Sequence, residues 1–200
     1  MCQFIETIKC QEGYLINLRY HQSRFNLTRH VHFRPCKEIN LEEFITIPEP
    51  FKTGLFKCRI IYSQSVEQVE FLPHKYRPVS SLQLVESNEI DYRYKYTARQ
   101  TLEQLFEQRM ECDDILIVKN GYISDSTISN VVFFDGKKWL TPDTPLLPGT
   151  QRARLIYEKK IHVRPITPDD LQKFQKAGLI NALQDLEIMP VIDINRISYL

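Results

Sequence analysis

The stretch Ile123-Ser-Asp-Ser-Thr-Ile-Ser-Asn-Val-Val-Phe-Phe-Asp-Gly-Lys-Lys-Trp-Leu-Thr-Pro142, followed by Leu146-Leu-Pro-Gly-Thr-Gln-Arg152, decides how the chain is read. Asn130 to Phe134 is β-branched and aromatic, the composition of a pleated strand, and Asp135-Gly136 is a hairpin turn pair that leads back into Trp139-Leu140. Ahead of that strand, Ser124 to Asn130 sets one carboxylate, Asp125, among hydroxyl and amide side chains. A loop of that composition between apolar strands is either a capped turn or a polar ligand site. Gly149 then opens a helix that continues from Gln151 to Tyr157.

Working outward, 200 residues can bury one good core or two small ones. A hydrophobic fraction of 42% with 11% aromatic is that of an ordinary globular protein. A net charge of +1 gives no reason to expect nucleic acid or an acidic membrane surface as partner. The apolar runs are too short to span a bilayer, and no leader pattern opens the sequence. Five scattered cysteines without a Cys-x-x-Cys pair point to reduced thiols, and so to a cytoplasmic setting.

In the first half, residues 3 to 9 and 14 to 18 read as strands joined by the turn Gln11-Glu-Gly13. Tyr20 to Arg29 reads as a helix with Phe25 and Leu27 turned partly inward. His30 and His32 read as sharing one strand face. No third ligand of suitable type and spacing accompanies them, so no metal site is expected. Thr53 to Tyr62 reads as a central strand, Val66 to Leu72 as its neighbour, and Pro78 to Val85 as the last strand of a small domain. Ser87-Asn-Glu89 reads as the link, which gives domains at 1–86 and 87–200.

The second half places Leu102, Leu105, Phe106 and Met110 at helical spacing after Tyr92-Arg-Tyr-Lys-Tyr-Thr-Ala-Arg99. Asp114 to Val118 reads as a strand, turned at Asn120-Gly121 into Tyr122-Ile-Ser. Val163 to Ile166 reads as another strand. Thr167-Pro-Asp-Asp170 has the proline and acids of a helix start. Gly178 is read as stopping that helix, with Leu179 to Leu183 following as a strand.

Several of these features, in this order, resemble the signature of the class IV (fold type IV) pyridoxal-phosphate enzymes. That family includes branched-chain and D-amino-acid aminotransferases and aminodeoxychorismate lyase. The matching residues are Asp125, Ser126, Asn130, Phe133, Thr141-Pro142 and Gly149-Thr-Gln-Arg152, with Asp125 standing where most relatives have Glu. Phe4-Ile-Glu-Thr7 resembles the Phe-Glu-Thr that opens the family's small domain, and His21-x-x-Arg24 its His-x-x-Arg. Lys95-x-x-x-Arg99 and Asn181-Ala-Leu183 resemble motifs of aminodeoxychorismate lyases, and Pro190-Val191 a dipeptide of the same region. The strand that usually precedes Phe-Glu-Thr is missing from this sequence, so a shortened small domain is expected. The resemblance implies an α+β fold of two domains, a small α/β one and a larger one on a β-barrel-like core. The site would lie between them, with pyridoxal 5'-phosphate at its base, in a homodimer.

The resemblance also implies roles. Lys95 would hold the cofactor covalently and move the substrate's α-proton, with Tyr92, Tyr94 and Tyr96 near its ammonium. Asp125 would keep the ring nitrogen protonated. Arg24 would reach the phosphate, a job that suits a planar, permanently charged fork, and its removal is expected to spare the fold. Gly149, Thr150 and Gln151 would offer the phosphate the open N–H groups of a helix start. Ser126, Thr127 and Asn181 would lie on the cofactor side. The substrate is then a small amino compound, with Arg77, Arg93 and Arg99 all candidates for its carboxylate. The leading expectation is a lyase that splits 4-amino-4-deoxychorismate into 4-aminobenzoate and pyruvate, toward folate. A class IV aminotransferase using the same residues is the alternative. A cofactor-free descendant is a third reading.

Overall fold

The computed structural model describes residues 2–199. The chain divides into two compact units, Met1–Tyr76 with Tyr94–Ala98, and Arg77–Arg93 with Arg99–Leu200. The boundary expected at 86/87 therefore falls inside the second unit, and a later segment returns to the first.

The first unit is a four-stranded antiparallel sheet with one long helix. Strands β1 (Phe4–Gln11), β2 (Tyr14–Leu15), β3 (Leu55–Tyr62) and β4 (Val66–Pro73) lie in the order β2-β1-β3-β4. Phe4, Glu6, Ile8 and Cys10 alternate along β1 and are all buried, the period-two pattern of a strand with one covered face. Helix α1 (Leu18–His32) sends Phe25 into the core formed by Phe4, Ile8, Cys58, Ile60 and Tyr62. The strand expected at 14–18 stops at Leu15, because Asn17 turns through φ 61° into the helix. Leu27, expected inward, is 56% exposed. His30 and His32 belong to α1 and not to a strand. Residues two apart on a helix point to nearly opposite sides, so they share no face.

Strand β2 covers only the far end of β1. At the near end the same edge is taken by the returning segment. Ile5 N–H donates to Lys95 O at 3.1 Å, Thr97 N–H donates to Gln3 O at 3.0 Å, and Phe4 bridges Tyr96. These bonds satisfy backbone groups that an uncovered edge would leave open.

The second unit builds two mixed sheets. Strands β5 (Leu82–Glu86), β6 (Asp114–Lys119) and β7 (Tyr122–Ile123) lie in one, separated along the chain by α2 (Gln100–Phe106). Strands β8 (Asn130–Phe134), β9 (Trp139–Pro142), β10 (Ile161–Arg164), β11 (Lys176–Ile180) and β12 (Val191–Asp193) form the other, with α3 (Thr150–Tyr157) between β9 and β10. The orders are β13-β5-β6-β7, closed by β13 (Ile197–Ser198), and β10-β9-β8-β11-β12. Leu82, Leu116 and Ile123 from one sheet meet Val131, Phe133, Leu179 and Ile192 from the other in a single core. The α+β class holds.

Four local readings are corrected. The strand expected at Pro78 to Val85 is β5 of this unit, not the last strand of the small one. Helix α2 ends before Met110, which sits at φ 52° and is 69% exposed. The strand expected at Val163 to Ile166 runs from Ile161 to Arg164. Gly178 lies inside β11 rather than ending a helix, and a Cβ there would come within 2.5 Å of the Met189 thioether.

Candidate active site

In the first unit a charged cluster is buried where an apolar core would be expected. Glu6 takes an inward position of β1, between Phe4 and Ile8, and is fully buried. Arg24, on α1, donates Nε–H to Glu6 Oε1 at 2.8 Å and Nη2–H to Oε2 at 2.6 Å. His21, one turn earlier and 1% exposed, places Nδ1 2.6 Å from the same Oε2. Burial alone would push the Glu6 carboxyl up, but the Arg24 charge and the hydrogen bonds from His21 and Arg24 outweigh it and hold it at about 2. An ionised carboxylate has no proton to give, so His21 Nδ1 is the donor. Burial holds His21 below the ordinary imidazole value despite the bond to Glu6, and the charges of Arg24 and Lys95 push the same way. The imidazole is therefore neutral at neutral pH.

Lys95 lies on the edge of β1 and is half-buried. Its backbone adopts φ 53°, a left-handed conformation that a lysine takes at a cost of about 1–2 kcal/mol. Tyr94 and Tyr96 beside it pack on the His32 ring, with centroids 4.6 and 6.2 Å away.

In the second unit the polar loop folds around Asp125. Its Oδ1 accepts Asn130 Nδ2–H at 2.8 Å and its Oδ2 accepts the Leu147 N–H at 2.9 Å. Asn130 Nδ2 also donates to Leu147 O at 2.9 Å, so the loop and the chain leading into α3 are clamped together. Burial pushes the Asp125 carboxyl up to about 6, against the hydrogen bonds from Leu147 and Asn130 and the charge of Arg152. Ser126 N–H donates to Ser129 O at 2.9 Å, closing a turn that bears Thr127 and Ile128. Two further side chains pin that turn. Arg99 Nη2–H donates to Thr127 O at 2.8 Å, and Asn181 Nδ2–H donates to Ser129 Oγ at 3.0 Å. Thr127 Oγ1–H is spent on Asp114 at 2.7 Å. Arg152 Nε–H and Nη2–H donate to Thr141 Oγ1 and Pro142 O at 3.2 and 2.7 Å, so two separated pieces of the sequence signature touch.

The profile of the family described as amino-transferase class IV matches residues 59–194. The chain belongs to the class IV aminotransferases. It is 37% identical over 188 residues to an uncharacterised Haemophilus influenzae protein, covering 93% of this chain and 100% of that one. The crystal structure of a "putative 4-amino-4-deoxychorismate lyase" from Haemophilus somnus 129pt matches with TM-score 0.88 and 32% identity, over 93% of this chain and 98% of that one. The fold extends to a hypothetical aminotransferase from Mycobacterium tuberculosis in its PLP-bound form. That match has TM-score 0.74 and 18% identity, over 99% of this chain and 84% of the other.

Class IV aminotransferases are pyridoxal-phosphate enzymes. The residues present fit that group. Ser126 Oγ is buried without a hydrogen-bond partner among the described residues, a hydroxyl with a donor and lone pairs to offer. Asp125 makes no ion pair among the described residues; burial pushes its carboxyl up despite the charge of Arg152, and a protonated ring nitrogen beside it would favour the ionised form. Thr150 and Gln151 are buried in the first turn of α3, the helix end whose dipole favours an anion.

Of the residues singled out from sequence, the first unit holds Arg24, on Glu6 beside His21, and Lys95, whose backbone carbonyl accepts from the Ile5 N–H. The second brings together Asp125, Ser126, Thr127, Gly149, Thr150, Gln151 and Asn181. Arg24, whose removal was expected to spare the fold, grips a buried carboxylate. Asn181 acts through Ser129. Arg77 and Arg99 are held by the Asp113 and Thr127 carbonyls, whereas Arg93 is exposed. Sequence reasoning gave no role of their own to Glu6, His21 and Asn130. For Glu6 a signal existed: a charge at the buried parity of β1, between Phe4 and Ile8.

Proposed function

We propose that this chain is a pyridoxal-phosphate-dependent lyase that converts 4-amino-4-deoxychorismate to 4-aminobenzoate and pyruvate. The reading is carried by the 32%-identical match, nearly end to end, to the Haemophilus somnus protein. A half-buried lysine in a strained backbone, hydrogen-bonded to the edge of β1 next to Glu6 in sequence, supports it.

When bound, the cofactor supplies an electron sink for the bond-breaking at the substrate's amino-bearing carbon. Lys95 would hold it covalently, and its amine would take the proton from that carbon. The enolpyruvyl group would leave the neighbouring ring carbon with the C–O electron pair and take up a proton to become pyruvate, driven by aromatisation of the ring. Asp125 would keep a proton on the ring nitrogen. Arg24, Gly149, Thr150 and Gln151 would bind phosphate oxygens, with Ser126 and Thr127 on the cofactor side. Asn181 and Arg99 keep the Ser126–Ser129 turn in place. We place this activity in the cytoplasm, in a homodimer, as a step toward folate.

The test is incubation of the purified protein with pyridoxal phosphate and 4-amino-4-deoxychorismate, with no keto acid added. Release of 4-aminobenzoate and pyruvate in equal amounts is expected over many turnovers. Stoichiometric amino transfer from branched-chain or D-amino acids, with no pyruvate released, would assign the chain to the aminotransferases instead. No activity and no cofactor retained would mark a cofactor-free descendant.

A further inference from the structure

Strand β7 pairs with β6 through Lys119↔Tyr122 and Val118↔Ile123, and the pairing goes out of step at the next position. The Ser124 N–H donates to Ile117 O at 2.8 Å, but the Ile117 N–H donates to Asp125 O at 2.9 Å. Two residues thus oppose one, which is a β-bulge, a device that bends a strand and re-aims its side chains. In a ladder continued from there, the Ile115 N–H would donate to Thr127 O. Both ends of that bond are taken by side chains instead. Ile115 N–H donates to Asp114 Oδ1 at 2.8 Å, and Arg99 Nη2–H donates to Thr127 O at 2.8 Å. Thr127 Oγ1–H closes the link on the same Asp114 oxygen at 2.7 Å. We propose that Asp114 and Arg99 are positioning residues for Asp125: by taking over one rung of the β6 ladder they part the chain from the sheet just past the bulge, and so fix how the Asp125 carboxyl is presented to the ring nitrogen of the cofactor.

Asp114 is 1% exposed and makes no ion pair among the described residues, so the Ile115 and Thr127 hydrogen bonds offset the cost of burying its carboxyl. Arg99 is fixed on its other side by Tyr92. The phenol oxygen accepts Nη1–H at 3.0 Å, and the ring lies 5.3 Å from the guanidinium. The Thr127 hydroxyl gives its proton to Asp114, so Thr127 serves the site by the course it imposes on the chain, not as a donor to phosphate. Asp125 sits between this anchor and the bulge, with its two oxygens held by Asn130 and the Leu147 N–H. Loosening the anchor frees the backbone that aims it.

The inference rests on Asp125 being the partner of the ring nitrogen in the proposed reaction, and it holds for lyase and aminotransferase alike. The test compares dissociation constants of the full chain for pyridoxal phosphate and for its 1-deaza analogue, which has carbon in place of the ring nitrogen. The wild type should favour pyridoxal phosphate by roughly tenfold or more, the worth of one charge-assisted bond. Thr127→Val and Arg99→Lys leave the net charge unchanged. Each should cut that preference to within about threefold, with affinity for the analogue little altered. Thr127→Ser, which keeps the hydroxyl, should restore it. Should Thr127→Val fail to fold by circular dichroism, Asp114→Asn combined with Thr127→Val, which strands no buried charge, takes its place. A wild-type preference retained in either folded variant overturns the proposal. That includes the case where both affinities fall together, as they would if Thr127 only touched the phosphate or the fold only softened. Such a result leaves Asp125 with the ring nitrogen. A wild type that binds both compounds equally overturns the proposal and that assignment together.

Discussion

Asn130 Oδ1 fills the space that a side chain on residue 149 would need: a Cβ built on Gly149 would lie 1.8 Å from it. The same Asn130 amide donates to Asp125 and to the Leu147 carbonyl. Gly149 is thus required by a close approach. Gly149→Ala must displace the Asn130 amide from Asp125, and should cost roughly 2–4 kcal/mol of stability. Urea denaturation measures it. In an Asn130→Ala background the same substitution should cost clearly less, and fully additive losses would show that the two residues do not compete for this space.

Asp125 gives the fold a pH dependence of unusual sign. Its carboxyl goes from 3.8 to about 6 on folding, so the native state holds the proton more tightly than the unfolded one. Between those values the native state binds more protons, and stability falls as pH rises. The protein without cofactor should lose on the order of 2–3 kcal/mol from this residue between pH 4 and pH 7. Urea midpoints compared across pH for wild type and Asp125→Asn isolate the slope, because any constant cost of the amide drops out. Parallel curves would show that Asp125 titrates alike in the folded and unfolded states.

Strand β8 and its turn at Asp135-Gly136 were legible because the parity and the turn chemistry are both local. So was the α3 start at Gly149. Other features turn on contacts far along the chain. Gly178 was misread because the thioether that needs its space belongs to Met189, and nothing in the local pattern separates that use from a helix stop. The return of Tyr94–Ala98 to the first unit depends on hydrogen bonds to Gln3 and Ile5, some ninety residues earlier. Arg24 could be matched to a motif, but its bond to Glu6 requires α1 to dock on β1 in one particular register. The spacing of Leu102, Leu105, Phe106 and Met110 is helical, yet the chain turns at Met110 into the left-handed region.

Lys95 should carry the cofactor. After incubation with pyridoxal phosphate and reduction with borohydride, one modified peptide containing Lys95 is expected. Lys95→Ala should retain no label. The φ of 53° adds a second readout, because glycine adopts that conformation without penalty. Lys95→Gly should be more stable than Lys95→Ala by about 1 kcal/mol, even though both are inactive. Label on a different lysine would move the catalytic assignment elsewhere.

Arg24→Ala separates two roles of one side chain. An arginine on a solvated helix face could be removed with little loss of stability. This one leaves behind a fully buried Glu6 carboxylate, and breaking a buried pair from one side costs about 3–5 kcal/mol. The loss should depend on pH. Glu6 is held at about 2 in the folded protein against 4.5 for the free side chain. Its favourable contribution is therefore full above pH 4.5 and disappears as pH falls toward 2. The gap between wild type and Arg24→Ala should be widest near neutral pH and should narrow on acidification, as the stranded carboxyl takes up a proton. Affinity for pyridoxal phosphate should also fall, by roughly ten- to hundredfold for one charge-assisted bond. Urea titrations at pH 7 and pH 4, with cofactor binding measured on the folded fraction, keep the two effects apart. A pH-independent gap would mean that Glu6 finds another partner when Arg24 is gone, and unchanged affinity would confine Arg24 to the fold.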